Sequence, residues 1–304
     1  MSTSKTPQDL VNDLVSLLSV TKNSEDHFTG NPQKGGVGRV FGGQVIAQAL
    51  MAAQRSVPDE KVAHSIHAYF LRGGKEGPPI NYTIARDFDG RSFANRRVVA
   101  SQNDDGTEKP ILNLTASFQI SEDGLEHQDC VMPDVAPPED LKSDMEQRKH
   151  FIDALPEISD TQRRLMLRPR PIEMRTIDRL HWMNSEPKAP LAHTWFRAAA
   201  TLPDDPEIHR AVIAYASDFT LLGTSVLPHG LSWMRNELTG ASLDHAIWFH
   251  RPARADEWLL YVTDSPWSGS GRGFNRGRIF SRDGTLVASV AQEGMIRKRR
   301  AKAE

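Results

Sequence analysis

GGQVIAQALMAA, Gly42 to Ala53, recurs loosely as HRAVIAYASDFTLL, His209 to Leu222, with the two runs in register at Val-Ile-Ala. The segments downstream of each run repeat as well. HSIHAYFLR at His64 to Arg72 answers LDHAIWFHR at Leu243 to Arg251, and RSFANRR at Arg91 to Arg97 answers RGFNRGR at Arg272 to Arg278. The chain reads as a duplication of one unit, a helix and then strands. The copies differ at one telling position, because the second helix carries Asp218 at the register where the first carries Met51.

Each unit has a definite order. Gln44 to Arg55 is rich in alanine, glutamine and aliphatic residues and lacks proline, which predicts a helix ended by Val57-Pro58. His64 to Arg72 and Ile80 to Asp87 are β-branched and aromatic, and Asp89-Gly90, Asp105-Gly106 and Asp123-Gly124 are hairpin-type turn signals between strand candidates. Leu10, Leu14, Leu17 and Leu18 predict an amphipathic helix before all of this. From Glu126 to Pro169 the chain is acidic, proline-punctuated and locally helical, and reads as an interdomain connection. The second unit predicts strands around Arg175 to His181 and His193 to Ala199, a helix through Arg210 to Leu222, and strands over Leu243 to Arg251, Glu257 to Thr263, Gly273 to Ser281 and Thr285 to Arg297. It also carries an insertion, PHGLSWMRNELT at 228–239, of a length that suits a wall over a site or an ordinary surface loop. A long helix across an antiparallel sheet, present twice with the sheets joined edge to edge, is an α+β double hotdog. The expected divisions are 1–125, a linker at 126–169, and 170–304.

Composition narrows the function classes. A chain of 304 residues with 38% hydrophobic and 25% charged residues suits two globular units, and a formal charge of -2 argues against a nucleic-acid binder. The single cysteine, Cys130, excludes an intrachain disulfide and a multi-cysteine zinc site, and suits a reducing compartment. The N-terminal run is too polar for a signal sequence, no window approaches a membrane span, and the C-terminal AKAE is not a peroxisomal address, so a cytoplasmic location is expected.

Several residues could carry chemistry. Asp218 lies in an apolar helical run, where a carboxylate must find partners or have its pKa raised, and either outcome suits a general base as well as a structural acid. Gln292 continues the apolar row Leu286, Ala288, Val290 along the last strand; its amide could hold a water or simply bond to backbone. Ser242, at the start of SLDHAIWFHR, offers a hydroxyl that could donate and accept. There is no Gly-x-Ser-x-Gly elbow, which disfavours a serine nucleophile. Gly42, Gly43 and Gln44 start the first helix, where bare amides could bind substrate and receive a developing oxyanion, or where glycine could serve only close packing. GGVGRVFGG contains neither a dinucleotide fingerprint nor a Walker lysine, so no cofactor is implied. In His64 and His67, and in His245 and His250, strand alternation splits the members between opposite faces, which argues against a metal site. The basic run from Arg297 to Lys302 reads as a solvated charge cluster.

Taken in order, VFGGQVIAQAL, HSIHAYFLRGG, YASDFTLL, SLDHAIWFHRP, DEWLLY and GTLVASVAQEGMIR resemble the acyl-CoA thioesterase II family over about residues 8 to 297. The resemblance implies a double hotdog that hydrolyses acyl-CoA to a free acid and CoA through an Asp, a Ser or Thr, and a Gln. It would assign those parts to Asp218, Ser242 and Gln292, with acyl-CoA as the partner and a homo-oligomer, dimer or tetramer, as the expected assembly. A hotdog enoyl-CoA hydratase would use an Asp-x-Asn-Pro-x-His type string, which this chain lacks. A noncatalytic acyl-CoA binder is the other alternative.

Overall fold

The structure is a computed structural model and describes residues 5–33, 38–154, 158–177, 186–233 and 235–299. Helix α1 (Pro7–Leu18) and strands β1 (Val20–Ser24) and β2 (His27–Gly30) precede the first unit, which consists of α2 (Gly42–Gln54), β3 (Lys61–Phe70), β4 (Ile80–Asp89), β5 (Phe93–Asp104) and β6 (Thr107–Ile120). The connecting segment holds α3 (Asp144–Asp153) and α4 (Asp160–Met166). The second unit comprises β7 (Ile172–Thr176), β8 (Leu191–Ala198), α5 (Pro206–Ser217), α6 (Leu221–Thr224), β9 (Leu238–Ser242), β10 (Asp244–Phe249), β11 (Leu259–Gly269), β12 (Arg272–Ser281) and β13 (Leu286–Lys298). The C-terminal part of the predicted strand at Arg175 to His181 lies outside the described residues, as do Arg300 to Lys302 of the basic tail.

Among the described residues all strands belong to one 13-stranded sheet, in the order β1-β2-β4-β5-β6-β3-β10-β13-β12-β11-β8-β7, with β9 added alongside β13. The halves join where β3 runs antiparallel to β10 and His67 faces Ala246. Those two residues also answer each other in the repeat, so the axis relating the halves passes between them. The duplication thus builds its own interface: an edge strand of each unit is covered by its counterpart, which removes the unpaired backbone groups that an isolated sheet would expose.

On one face of this sheet lie α2 and α5. They run antiparallel, with Gly43 at the start of α2 against the Tyr215 carbonyl near the end of α5. Every residue of α2 from Gly43 to Gln54 is buried, consistent with a helix that is apolar almost all round. The helical run Pro206–His229 has the length and hydropathy of a membrane span, yet 72% of its most apolar window is buried inside the fold, as a core helix requires. Helix α1 begins with a capping box from Thr6 and Asp9 and buries Val11, Leu14 and Leu18.

The connecting segment forms no strand among its described residues. Its two helices each begin with a capping box, Ser143 with Glu146 and Ser159 with Gln162. Upstream of them, Cys130, Met132, Val135 and Leu141 pack on Trp195, Trp258, Leu260, Val262 and Phe280. Along β11, Leu260 and Val262 therefore point to this segment while Leu259 and Tyr261 join the helix-side core, so the second half of the sheet is covered on both faces.

Two turn details differ from the sequence reading. Asp105 and Gly106 both have positive φ and join β5 to β6, as their residue types predict. Asp123-Gly124 lies beyond the end of β6 in irregular chain, while Ser270-Gly271, not singled out by composition, adopts the positive-φ pair that joins β11 to β12.

Candidate active site

The apolar helix expected through Leu222 breaks at the acid. Helix α5 ends at Ser217, Asp218 is its C-cap, and a separate short α6 resumes at Leu221. The break turns the carboxylate toward the start of α2 and the middle of β13. There Gln292 Nε2 donates to Asp218 Oδ1 at 2.7 Å, Ser242 Oγ stands 3.5 Å from the same oxygen, and the Gly43 N–H donates to the carboxylate. Burial pushes the Asp218 carboxyl up from 3.8 to about 6, because the charged form loses its hydration, while the bonds from Gln292, Gly43 and Ser242 pull it partly back. An acid that ionises near neutrality, held by three donors, is equipped to accept a proton.

Ser242 and Gln292 arrive from adjoining strands. Gln292 lies on the inward row of β13 and is fully buried. Ser242 closes β9 opposite Gly294, two residues along β13, where the sequence predicts that it opens a continuous strand to Arg251. The chain splits there because Leu243 leaves the β13 pairing of β9 and Asp244 begins β10, whose partners are β3 and the earlier part of β13. Much of the 228–239 insertion thus leads into β9, with Leu238 and Thr239 already paired to Lys298 and Arg297, so those two basic residues belong to a strand rather than a free charge run.

Both glycines at the start of α2 are sterically required. A Cβ on Gly42 would lie 2.7 Å from Asp218 Oδ2 and 2.9 Å from Phe70 Cζ; on Gly43 it would lie 2.5 Å from the Tyr215 carbonyl oxygen. The expected open oxyanion site at Gly43 and Gln44 is not what the backbone presents. The Gly43 N–H is engaged by Asp218, and the Gln44 N–H donates to the Phe41 carbonyl at 3.1 Å, closing the first helical turn. The Gln44 side chain turns the other way, donating to the Asn31 carbonyl at 3.2 Å.

The structure brings in residues that the sequence reading did not use for catalysis. His245 Nδ1 lies 2.9 Å from Gln292 Nε2, and its Nε2 lies 2.9 Å from Ser217 Oγ. Asn275 sits opposite Gln292 on β12, accepts from the Ser225 N–H and donates to the Gln292 carbonyl. Period-two alternation with the buried Ile247 marks His245 as inward-facing, a signal present in the sequence. Beside Asp218, Phe41 stacks on Phe219 with centroids 4.7 Å apart, and Tyr215 meets both rings edge-on.

The other histidines go elsewhere. His64 bonds to Ser117, His67 meets Trp248 edge-on, and His250 bonds to Ser289. Among the described residues no group of three or more His, Cys, Asp or Glu side chains is placed to hold a metal ion.

The first half lacks the same constellation. Ile66 faces Ala116 there, where His245 and Gln292 stand in the second half, so Ala116 is the counterpart of Gln292 along this pair of strands. Arg96 pairs with Ala116 as Asn275 pairs with Gln292, and its buried guanidinium bonds to Ser56 Oγ and to the carbonyls of Ser56, Phe88 and Asn95.

Comparison with known proteins agrees with this architecture. The acyl-CoA thioesterase family model matches residues 171–295, and the acyl-CoA thioesterase N-terminal domain model matches residues 31–119. The chain is 37% identical to acyl-CoA thioesterase 2 of Haemophilus influenzae, covering 95% of this chain and 98% of that protein. It is likewise 37% identical to human acyl-coenzyme A thioesterase 8, with coverage of 96% and 91%. Among solved structures, an acyl-CoA thioesterase II, TesB2, from Mycobacterium marinum superposes with a TM-score of 0.74 at 37% identity, covering 93% of this chain and 98% of that one. The two matched segments hold the two halves of the repeat, with Asp218, Ser242 and Gln292 inside the second, and the chain belongs to the acyl-CoA thioesterase family of thioester hydrolases.

Proposed function

We propose that this chain hydrolyses fatty acyl-CoA to the free acid and CoA by direct attack of a water that Asp218, Ser242 and Gln292 hold and activate. The observation that carries the reading is the convergence on one buried carboxylate, ionising near 6, of a carboxamide and a hydroxyl, with the carboxamide oxygen left without a partner. A buried acceptor without a partner is costly, and a water donating to Gln292 Oε1 would satisfy it. In the proposed reaction Asp218 takes a proton as the water oxygen attacks the thioester carbonyl, and the thiolate of CoA then leaves and is protonated. Ser242 donates to the carboxylate and can accept from the water, so it orients and does not attack.

The first half contributes the start of α2. Its Gly43 amide holds Asp218, and Gly42 and Gly43, having no side chains, let Asp218, Phe70 and the Tyr215 carbonyl close against that end of the helix, where Gly42, Gly43 and Gln44 would border the bound substrate. Phe41 and Phe219, half-buried beside the acid, form the apolar wall along which an acyl chain would lie. The same reading treats 1–125 and 170–304 as the two hotdog units with 126–169 between them, and on its single cysteine places the chain in a reducing compartment such as the cytoplasm.

Release of free CoA thiol, measured over a series of acyl-CoA chain lengths, tests the activity and sets the length preference together. Mass spectrometry after a rapid quench tests the mechanism. An acyl group trapped on Ser242 would replace direct attack with a covalent route, and binding without any thiol release would leave an acyl-CoA binder.

A further inference from the structure

Behind Gln292 lies a closed set of buried polar atoms that the proposed reaction does not itself use. Ser217 Oγ donates to the Ala214 carbonyl at 2.9 Å, which occupies its only proton. Its contact with His245 Nε2 at 2.9 Å therefore needs the proton on the imidazole. That leaves Nδ1 as a bare lone pair, because burial keeps the ring neutral, pushing its pKa down to about 3. The lone pair accepts from Gln292 Nε2 at 2.9 Å, while the other proton of the same nitrogen goes to Asp218 at 2.7 Å. Both amide protons are thereby committed, and the amide oxygen is the end left over.

We propose that His245 and Ser217 act as a positioning relay that fixes the orientation of the Gln292 carboxamide, so that its nitrogen faces Asp218 and its oxygen faces the attacking water. The inference rests on the catalytic reading of Gln292. A carboxamide has nearly the same shape after a half turn, so only its partners choose between the two orientations. Asp218 selects nitrogen while it is ionised, but once it has taken the proton from water it can donate to an amide oxygen just as well. The His245 lone pair has no such ambiguity and accepts only an N–H. His245 therefore holds the amide through the proton transfer, when the preference imposed by Asp218 is lost. Ser217 holds His245 in the required tautomer, and its position next to Asp218 in the chain ties the relay to the break at the end of α5.

The test is a double-mutant cycle on the full chain with an acyl-CoA substrate. His245→Leu should lower kcat by roughly 10- to 100-fold with KM changed less than about twofold, since the loss falls on the reacting geometry. His245→Asn, whose Oδ1 can stand where Nδ1 stands, should recover most of that loss. In a Gln292→Ala background His245→Leu should have less than about a twofold further effect on kcat, because nothing remains to be oriented. An Asn variant as slow as the Leu variant, or a Leu effect undiminished in the Gln292→Ala background, overturns the relay. A Gln292→Ala enzyme as fast as wild type would overturn the catalytic reading instead. If His245→Leu does not fold, Ser217→Ala answers the same question: a several-fold loss of kcat that vanishes in the Gln292→Ala background supports the relay, and an equal loss in both backgrounds overturns it.

Discussion

In the proposed mechanism Asp218 is the group with the most to do, and it is also a burden on the fold. Its carboxyl ionises at about 6 in the folded chain against an ordinary 3.8, so the folded state binds more protons than the unfolded state between those values. Stability attributable to this group is therefore present at low pH and lost as pH rises through about 6, by an amount on the order of 3 kcal/mol at most. Asp218→Asn removes the titration. The thermal midpoint of the variant relative to wild type should thus climb as pH is raised from about 4 to about 7, while turnover falls by roughly 10³-fold because an amide cannot accept the proton. A midpoint difference that stays flat across that range would show that the carboxylate is not held in a raised state. The kcat/KM of the wild-type chain should rise with pH through about 6, since the base works only when ionised. Ser242 separates orientation from attack: Ser242→Thr keeps the hydroxyl and should retain most activity, and Ser242→Ala should lose about tenfold in kcat. If Thr were as slow as Ala, the hydroxyl would be doing something other than hydrogen bonding.

At the scale of elements, the site is set by where helices end. The start of α2 meets the end of α5, and the glycines there keep backbone against backbone. Gly42→Ala should displace the Asp218 carboxylate or the Phe70 ring, both within 3 Å of the new methyl carbon, and lower kcat by more than about tenfold with some loss of thermal stability. Steady-state kinetics beside a melting curve would read both effects, and unchanged kinetics would mean that the helix start yields freely. Legibility in the sequence differs from element to element. The strands at β3, β8, β12 and β13 are evident from alternation, and α2 from its composition, because both patterns result from burial of one face or of all faces. The end of α5 is not. Nothing local marks Ser217 as its last residue, since Asp218, Phe219 and Thr220 include no glycine or proline and lead directly into Leu221 and Leu222. The break is accompanied by long-range bonds from Gly43 and Gln292, which no window of sequence contains. The division between β9 and β10 is similar, for Ser242, Leu243 and Asp244 are consecutive while their backbone partners lie on different parts of the sheet. Asp218 and Gln292 stand out as residues out of keeping with their rows, and Ser242 only as a hydroxyl at a strand start; His245 hides because a histidine on an inward row has many structural uses.

For the whole molecule, duplication leaves two symmetry-related places where α2 and α5 meet the sheet, and only one is furnished. Around Met51 the first half offers Ile66 and Ala116 where the second has His245 and Gln292, and Arg96 is bound to Ser56 beneath the helix. The repeat register also places His209 and Arg210, which carry side chains, where the Asp218 end has Gly42 and Gly43. On the proposed reading, one end of the molecule serves as the site and the other as core. Met51→Asp should therefore create no activity. Its carboxylate, on a helix residue only 1% exposed, would replace an apolar side chain in the core and should cost roughly 2 to 4 kcal/mol or stay protonated. The thermal midpoint of Met51→Asp measures that cost, and it should fall further as pH rises and the acid is forced to ionise. Combining Met51→Asp with Asp218→Asn isolates the function of the first half. The double variant should be as inactive as Asp218→Asn alone, because an acid without a carboxamide, a hydroxyl and a glycine-bared helix start has nothing to hold a water against. Recovered turnover in that variant would mean that the first half still holds a working arrangement around residue 51, and that the two ends are less different than their side chains make them.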